Sequence, residues 1–483
     1  MDRMSPLDAS FLHMEDGVSH MHIASVAIFE GPAPEHADIL RMVESKLPLV
    51  PRYRQTVRFV PLQLGRPVWA DDPHFNIDYH VRSTALASPG HDDQLRTLVG
   101  RVMSQQLDRS KPLWEMWMVE GLESGHWALL SKTHHCMVDG VSGTDLLTVV
   151  LDQEPEPARV APVAYEPGDQ PDRLRLVADA LRERVASPYE QLRGLRAATR
   201  APRQVGEQLL DVAKGVRSLS GLVSRTPEST LNGPIGPHVR WAWARSTLAD
   251  VKLVRAGLGG TVNDVVLAAI TNGFRELLQS RGESTDRVVR TLVPVSVRAK
   301  GSGGPAGGDG TFNNKVSAMF AALPVSIDDP RERLDAIRAQ MADLKESNQA
   351  VAGEALTSLT GFAPPELLAL GTRVFSRIPQ RNVNTVTTNV PGPQFPLYAA
   401  GRKMLEAFPY VPLAGSVRIG VAIFSYNGMI SFGVTGDYDT TEDIAVLCDG
   451  IEQGMAEMIK LAERNAPTPA RKSAKQALKK PKN

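Results

Sequence analysis

The chain has 483 residues, 42% of them hydrophobic and 22% charged, with 54 basic against 54 acidic residues. That length exceeds what one hydrophobic core organises and predicts two domains or one large duplicated architecture. The apolar fraction excludes a disordered chain, and the charge balance excludes a chain-wide polyanion binder such as a nucleic-acid coat.

In chain order, MHIASVAIFE (Met21 to Glu30) reads as a strand and EHADILRMVESKL (Glu35 to Leu47) as a helix. Leu95, Leu98, Val99, Val102 and Met103 recur at helical spacing and predict one buried stripe. PLWEMWMVEGL and HWALLSKTHH read as two strands joined by the turn ESG, the first apolar on both faces as a covered central strand is. A helix beginning near Gly143 follows. Composition then shifts to proline and acid, next to an arginine-rich helical stretch from Arg173 to about Val223, and then to a second break at Pro227 to Pro237. Beyond it come the strand HVRWAWARSTL, a helix from Val262 to about Gln279, and the strand VVRTLVPVSVR. GSGGPAGGDG (Gly301 to Gly310) reads as a mobile loop. Strand-like VSAMFAALPV, VNTVTTNV, SVRIGVAIF and ISFGVTGD precede a closing helix from about Asp443 to Arg464.

The expected domains are 1–154, a linker and helical crossover over 155–237, a second domain over 238–464, and a tail over 465–483 with six basic residues and no acids. The tail is expected to be solvated and disordered, with a tether to anionic lipid as the sharper reading. Cys136 and Cys448 form neither a disulfide framework nor a zinc motif, which fits a reducing compartment. Acids at the amino terminus argue against a secretory signal, and no stretch reaches the roughly 20 apolar residues of a membrane span.

One segment carries chemistry: Thr133-His134-His135-Cys136-Met137-Val138-Asp139-Gly140, where a strand ends and a turn begins. Adjacent side chains of an extended chain point to opposite faces, so one of the two histidines faces a cleft and the other packs inward. Neutral imidazole, with an ordinary pKa of about 6.5, takes a proton from a hydroxyl at physiological pH. A base of this kind predicts that kcat/KM rises through an apparent pKa of about 6 to 7. The spacing offers no H-E-x-x-H metal motif and no G-x-S-x-G hydrolase elbow.

H-H-x-x-x-D-G here resembles the signature of the CoA-dependent acyltransferases, which include chloramphenicol acetyltransferase-like enzymes and condensation domains. Within them the chain is similar to the bacterial wax ester synthase/diacylglycerol acyltransferase family. The similarity also rests on Pro112-Leu113-Trp114, Asn263-Asp264, Pro294 to Arg298, Asn389 to Pro393, and the opening SPLDASFLHMED. Asn313-Asn314-Lys315 stands where that family usually has glycine before the asparagine. The resemblance implies an α/β fold of two chloramphenicol acetyltransferase-like sandwich domains with the active site in a channel between them. It implies His135 as general base, His134 as structural, and Asp139 as an anchor beside Gly140, for which Arg298 is the expected cationic partner. Asn263 and Asp264 are expected either to cap a helix or to support the channel, which Pro112, Trp114, Asn389 and Pro391 are expected to line; core packing is the other reading of Pro112 and Trp114.

The implied reaction is acyl transfer from acyl-CoA to diacylglycerol, and to long-chain alcohols, with acyl-CoA as co-substrate and no bound cofactor or metal. The alternatives are an N-acylating condensation enzyme or a non-catalytic lipid-binding relative. Substrates this apolar imply a cytoplasmic protein peripherally associated with the inner membrane or lipid droplets. The apolar stretch Ala355 to Phe375 and the arginine-rich crossover are candidates for that contact. Cys136 adjoins the histidines, but a nucleophile needs its base across a gap rather than next in chain. Cys136→Ala is therefore expected to keep most acyl-transfer activity in a steady-state assay; near-total loss would reopen a covalent route.

Overall fold

The computed structural model describes residues 2–137, 149–156, 164–182, 229–296, 316–346 and 383–465. The helix expected near Gly143, the loop at Gly301 to Gly310, the 355–375 stretch, the basic tail and most of the crossover lie outside these residues.

The first half begins with β1 (Asp2–Arg3), α1 (Pro6–Met14), β2 (His22–Phe29) and α2 (His36–Lys46). It continues through β3 (Gln55–Arg58), β4 (Val68–Asp71), α3 (Ile77–His80), β5 (Val81–Ala85) and α4 (Asp92–Met103). The strands β6 (Trp114–Glu120) and β7 (Trp127–His134) close it. The second half opens with β8 (Val239–Thr247), α5 (Leu248–Leu258), α6 (Val262–Ser280), β9 (Val289–Ser296) and β10 (Val316–Leu323). Then come α7 (Pro330–Glu346), β11 (Thr385–Pro391), β12 (Tyr398–Ala399), β13 (Arg402–Tyr410), β14 (Ile419–Tyr426), β15 (Met429–Asp437) and α8 (Ile444–Asn465).

Two six-stranded sheets result, ordered β12-β13-β2-β7-β6-β5 and β10-β9-β11-β14-β15-β8, while β1, β4 and β3 form a small third sheet. Both large sheets mix parallel and antiparallel pairs. This is the two-domain α/β architecture expected from the sequence, with one correction to the boundaries. Strands β12 and β13 fall within the 238–464 range yet belong to the first sheet, where β13 pairs with β2. Pairing of that kind is set by the hydrogen-bonding edge β2 presents, which no local pattern in residues 398–410 encodes.

The apolar alternation explains the layers. Strand β7 is buried along its whole length. Its Trp127 and Leu129 pack into a core with Phe29, Trp114 and Leu12, and its Ala128 and Leu130 into a second core with Leu98, Trp243 and Phe408. The second sheet is covered by α5, α6, α7 and α8, whose apolar stripes share one core. Helices α6 and α8 approach closely because both faces carry glycine: a side chain on Gly450 would come within 2.8 Å of the Gly273 Cα.

The two halves are interlocked. Tyr426 at the end of β14 is buried in the first half's core, donating its hydroxyl to the Met404 carbonyl at 3.2 Å and accepting from the Leu397 N–H at 2.8 Å. Trp243 of β8 stacks on Phe408 of β13 with centroids 4.6 Å apart. Arg245 ties the same junction through Glu406 at 2.8 Å.

Where β15 passes β13, a methyl group on Gly433 would collide with the Pro409 carbonyl. Gly433→Ala is therefore expected to destabilise the protein by about 1–3 kcal/mol, read as a lowered midpoint in chemical denaturation. An unchanged midpoint would show that this junction yields freely.

Candidate active site

The carboxyl end of β7 is clamped on both sides. The His134 N–H donates to the Leu113 carbonyl at 2.9 Å and the His135 N–H to the Met21 carbonyl at 2.8 Å. Thr133 lies opposite Trp114, and His134 opposite His22. A short 3₁₀ turn over His135–Met137 then carries the chain off the sheet.

His134 is held from both ring nitrogens. Its Nδ1 accepts the Cys136 N–H at 3.1 Å, which leaves Nε2 as the protonated nitrogen, and that donates to Glu15 at 3.2 Å. Glu15 follows the end of α1 and is almost fully buried. Arg109 Nε donates to the same carboxylate oxygen at 3.0 Å, and its NH2 group also reaches the Leu12 carbonyl at 3.1 Å. His22 approaches the other oxygen at 3.6 Å. Burial opposes the charge on Glu15, but the hydrogen bonds from His134 and His22, together with the Arg109 charge, outweigh it and hold the carboxyl well below the usual range.

His135 points the other way. Its ring stacks on Phe11 of α1, with centroids 4.0 Å apart and planes inclined by 26°. It keeps partial exposure, while its Nδ1 is enclosed and has no hydrogen-bond partner among the described residues. Burial pulls its pKa down to about 4, with a small opposing pull from its own backbone carbonyl. The expectation of a titration near 6 to 7 is corrected accordingly: desolvation of the imidazolium keeps the ring neutral across the physiological range. Beneath the strand, Lys132 is fully buried and donates to the Val102 carbonyl at 2.9 Å and to the Gln105 carbonyl, capping the last turn of α4. Burial lowers its pKa to about 8.

The other expected site residues fall in distinct places. Asn263 and Asn389 meet: Asn389 Nδ2 approaches Asn263 Oδ1 at 3.5 Å, the outer limit of a hydrogen bond. Asp264 is a helix cap, accepting the Thr261 N–H at 2.8 Å while its own N–H returns to the Thr261 hydroxyl at 3.3 Å. Pro391 is exposed at the end of β11. Trp114 is corrected from channel lining to core, because its ring has no exposed surface. It stacks on His80 at 4.6 Å and donates to the Tyr53 carbonyl at 2.8 Å. Pro112 is likewise buried. Asp139, Gly140 and Arg298 lie outside the described residues. Glu15 and Arg109 escaped the sequence reading; the available signal was an acid directly after an apolar helix, and an arginine just ahead of Pro112.

Residues 4–266 match the "Wax ester synthase/diacylglycerol acyltransferase catalytic domain" and residues 312–459 the "WS/DGAT C-terminal domain". The chain is 36% identical to the Mycobacterium tuberculosis protein described as "Probable diacyglycerol O-acyltransferase tgs1", over 97% of this chain and 98% of that one. It is similar to the solved wax ester synthase/diacylglycerol acyltransferase from Marinobacter aquaeolei VT8, with TM-score 0.67 and 25% identity over 95% of this chain and 100% of that one. The first condensation domain of the calcium-dependent antibiotic synthetase shares the fold, with TM-score 0.55 and 16% identity over 96% of this chain and 97% of that one.

Glu15→Gln keeps the shape but removes the charge that both His134 and Arg109 serve. It is expected to cost roughly 2–3 kcal/mol of stability and to lower kcat more than KM. The Glu15 contribution is complete above the ordinary carboxylate range and is lost only as pH falls below it, so the gap between wild type and variant should narrow at strongly acid pH. Calorimetry across pH checks this; equal stabilities at neutral pH would contradict it.

Proposed function

The chain belongs to the wax ester synthase/diacylglycerol acyltransferase family and is an acyltransferase; we propose that it transfers the acyl group of acyl-CoA to the free hydroxyl of diacylglycerol, with long-chain alcohols as further acceptors. The observation that carries this reading is the asymmetry of the histidine pair. His134 is saturated by Glu15 and the Cys136 N–H, whereas His135 is partly exposed and neutral.

In the proposed reaction, Nε2 of His135 accepts the acceptor's hydroxyl proton as its oxygen attacks the thioester carbonyl carbon. The new C–O bond places negative charge on the carbonyl oxygen. Collapse of this intermediate breaks the C–S bond, and the departing CoA thiolate takes the proton from the imidazolium. No acyl-enzyme forms. Asn263 and Asn389 are assigned to the same reaction zone, with the Asn263 amide as a donor toward the oxyanion. Asp139 is assigned an anchoring role with Arg298 as its partner. A base already neutral at physiological pH supports this route, since no proton must first be removed from it.

Acceptors of this kind are stored in lipid, so the enzyme is placed at the cytoplasmic face of the inner membrane or on lipid droplets. No single described helix is long and apolar enough to cross a membrane.

Purified protein with labelled palmitoyl-CoA and a panel of diacylglycerol, hexadecanol and a long-chain amine tests the reading. Triacylglycerol is expected as the main product, with wax ester second; amide as the main product would favour a condensation-type enzyme. With chemistry rate-limiting, kcat/KM should be level from roughly pH 6 to 8 and fall as pH drops toward about 4, where the base becomes protonated. A profile still rising at neutral pH would remove His135 from this role.

A further inference from the structure

Strand β7 carries more than the histidine pair. Lys132 lies two residues before His134, on the same face of the strand, and it is fully buried. Among the described residues no carboxylate lies within ion-pair distance of its ammonium group; Glu115, opposite it on β6, is paired with Arg82 at 3.2 Å. The ammonium donates instead to the Val102 carbonyl at 2.9 Å and to the Gln105 carbonyl, where the end of α4 concentrates partial negative charge. Desolvating a charge there is a cost that an apolar side chain of the same length would avoid. Residues 104–113 join α4 to β6, and β7 grips this segment near both ends: the Lys132 ammonium holds the Gln105 carbonyl, and the His134 N–H holds the Leu113 carbonyl at 2.9 Å. Between the grips Asp108 closes a turn, its carboxylate accepting the Ser110 N–H at 2.8 Å and its carbonyl the Lys111 N–H at 3.0 Å. That turn presents Arg109, which donates to Glu15 at 3.0 Å and to the Leu12 carbonyl at 3.1 Å. Gln106 adds a bond to the Asp16 carbonyl at 2.6 Å.

We propose that Lys132 is a positioning residue for acyl transfer: by anchoring the end of α4 it sets where Arg109 meets Glu15, and so how Glu15 holds His134 beside the base. This deepens the reading of His135 as that base and rests on it. The path closes on itself. It runs from the Lys132 ammonium through Gln105, Arg109 and Glu15 to the His134 ring, two residues along the same strand. A segment gripped only at Leu113 would let Arg109 swing away, and Glu15 would keep a buried charge with one donor fewer. Displacing a reacting group by about 1 Å costs on the order of 10²-fold in rate. A lysine buried out of reach of substrate therefore governs kcat through the groups it holds.

Lys132→Met removes both hydrogen bonds and keeps the length of the side chain. Assayed in the full chain well below its Tm, and normalised to protein that binds palmitoyl-CoA, it is expected to lose roughly 10- to 100-fold in kcat with KM little changed. Lys132→Gln, whose amide keeps a donor, should recover part of that loss. The decisive comparison is the double-mutant cycle with Glu15→Gln. Residues that act as one unit are not additive, so adding Lys132→Met to that variant should cost no more than about threefold in kcat. Full additivity overturns the proposal, as does a wild-type kcat in Lys132→Met. Failure of both Lys132 variants to fold also overturns it, since the residue then serves stability alone. His135→Ala separates this role from the reaction: a fully active His135→Ala removes the base and this role with it, whereas an inactive His135→Ala beside an additive cycle removes only the role of Lys132.

Discussion

A buried carboxylate organises the candidate active site. Glu15 sits at the end of α1, almost fully buried, and its charge survives because Arg109 and His134 donate to it. An ion so placed costs several kcal/mol unless its partners are well aligned. Satisfying it therefore fixes three elements together: the end of α1, the segment leading into β6, and the end of β7. His135 inherits its position from that arrangement. Its neighbour cannot rotate without stranding a buried charge, and the ring itself rests on Phe11, one helical turn before Glu15.

The same end of β7 depends on the two halves being folded as one body. Strand β13 comes from the second half of the chain but hydrogen-bonds to β2, which in turn pairs with β7. Tyr426 and Trp243 carry apolar surface from the second sheet into cores of the first half. The proposed base, His135, is thus supported by residues far away in the chain. The Asn263–Asn389 approach is the corresponding feature on the second sheet, joining the start of α6 to the end of β11.

Much of this was legible in the sequence. The apolar runs of β2, β6, β7, β14 and β15 and the long stripes of α4, α6 and α8 place those elements because burial imposes the period. The alternation rule required one of the two adjacent histidines to turn inward, and the structure buries His134 and leaves His135 partly exposed. What escaped was non-local. The partner of β13 is chosen by an open strand edge some 370 residues earlier, which no window of sequence contains. No local pattern marks Glu15 or Lys132 as buried; their burial follows only once α1 and α4 are docked. Trp114 read as channel or core, and its stacking on His80 decided for core. Helix α7 could have been found, since Leu334, Ile337, Met341 and Leu344 recur at helical spacing.

The central claim is that one imidazole takes the hydroxyl proton. Its most direct test is a single-turnover measurement of acyl transfer from palmitoyl-CoA to diacylglycerol by His135→Ala, in protein whose fold is verified by circular dichroism. The account predicts a loss of about 10²- to 10⁴-fold in the ester-forming step, with acyl-CoA binding retained. Ester formation by that variant at the wild-type rate would contradict it.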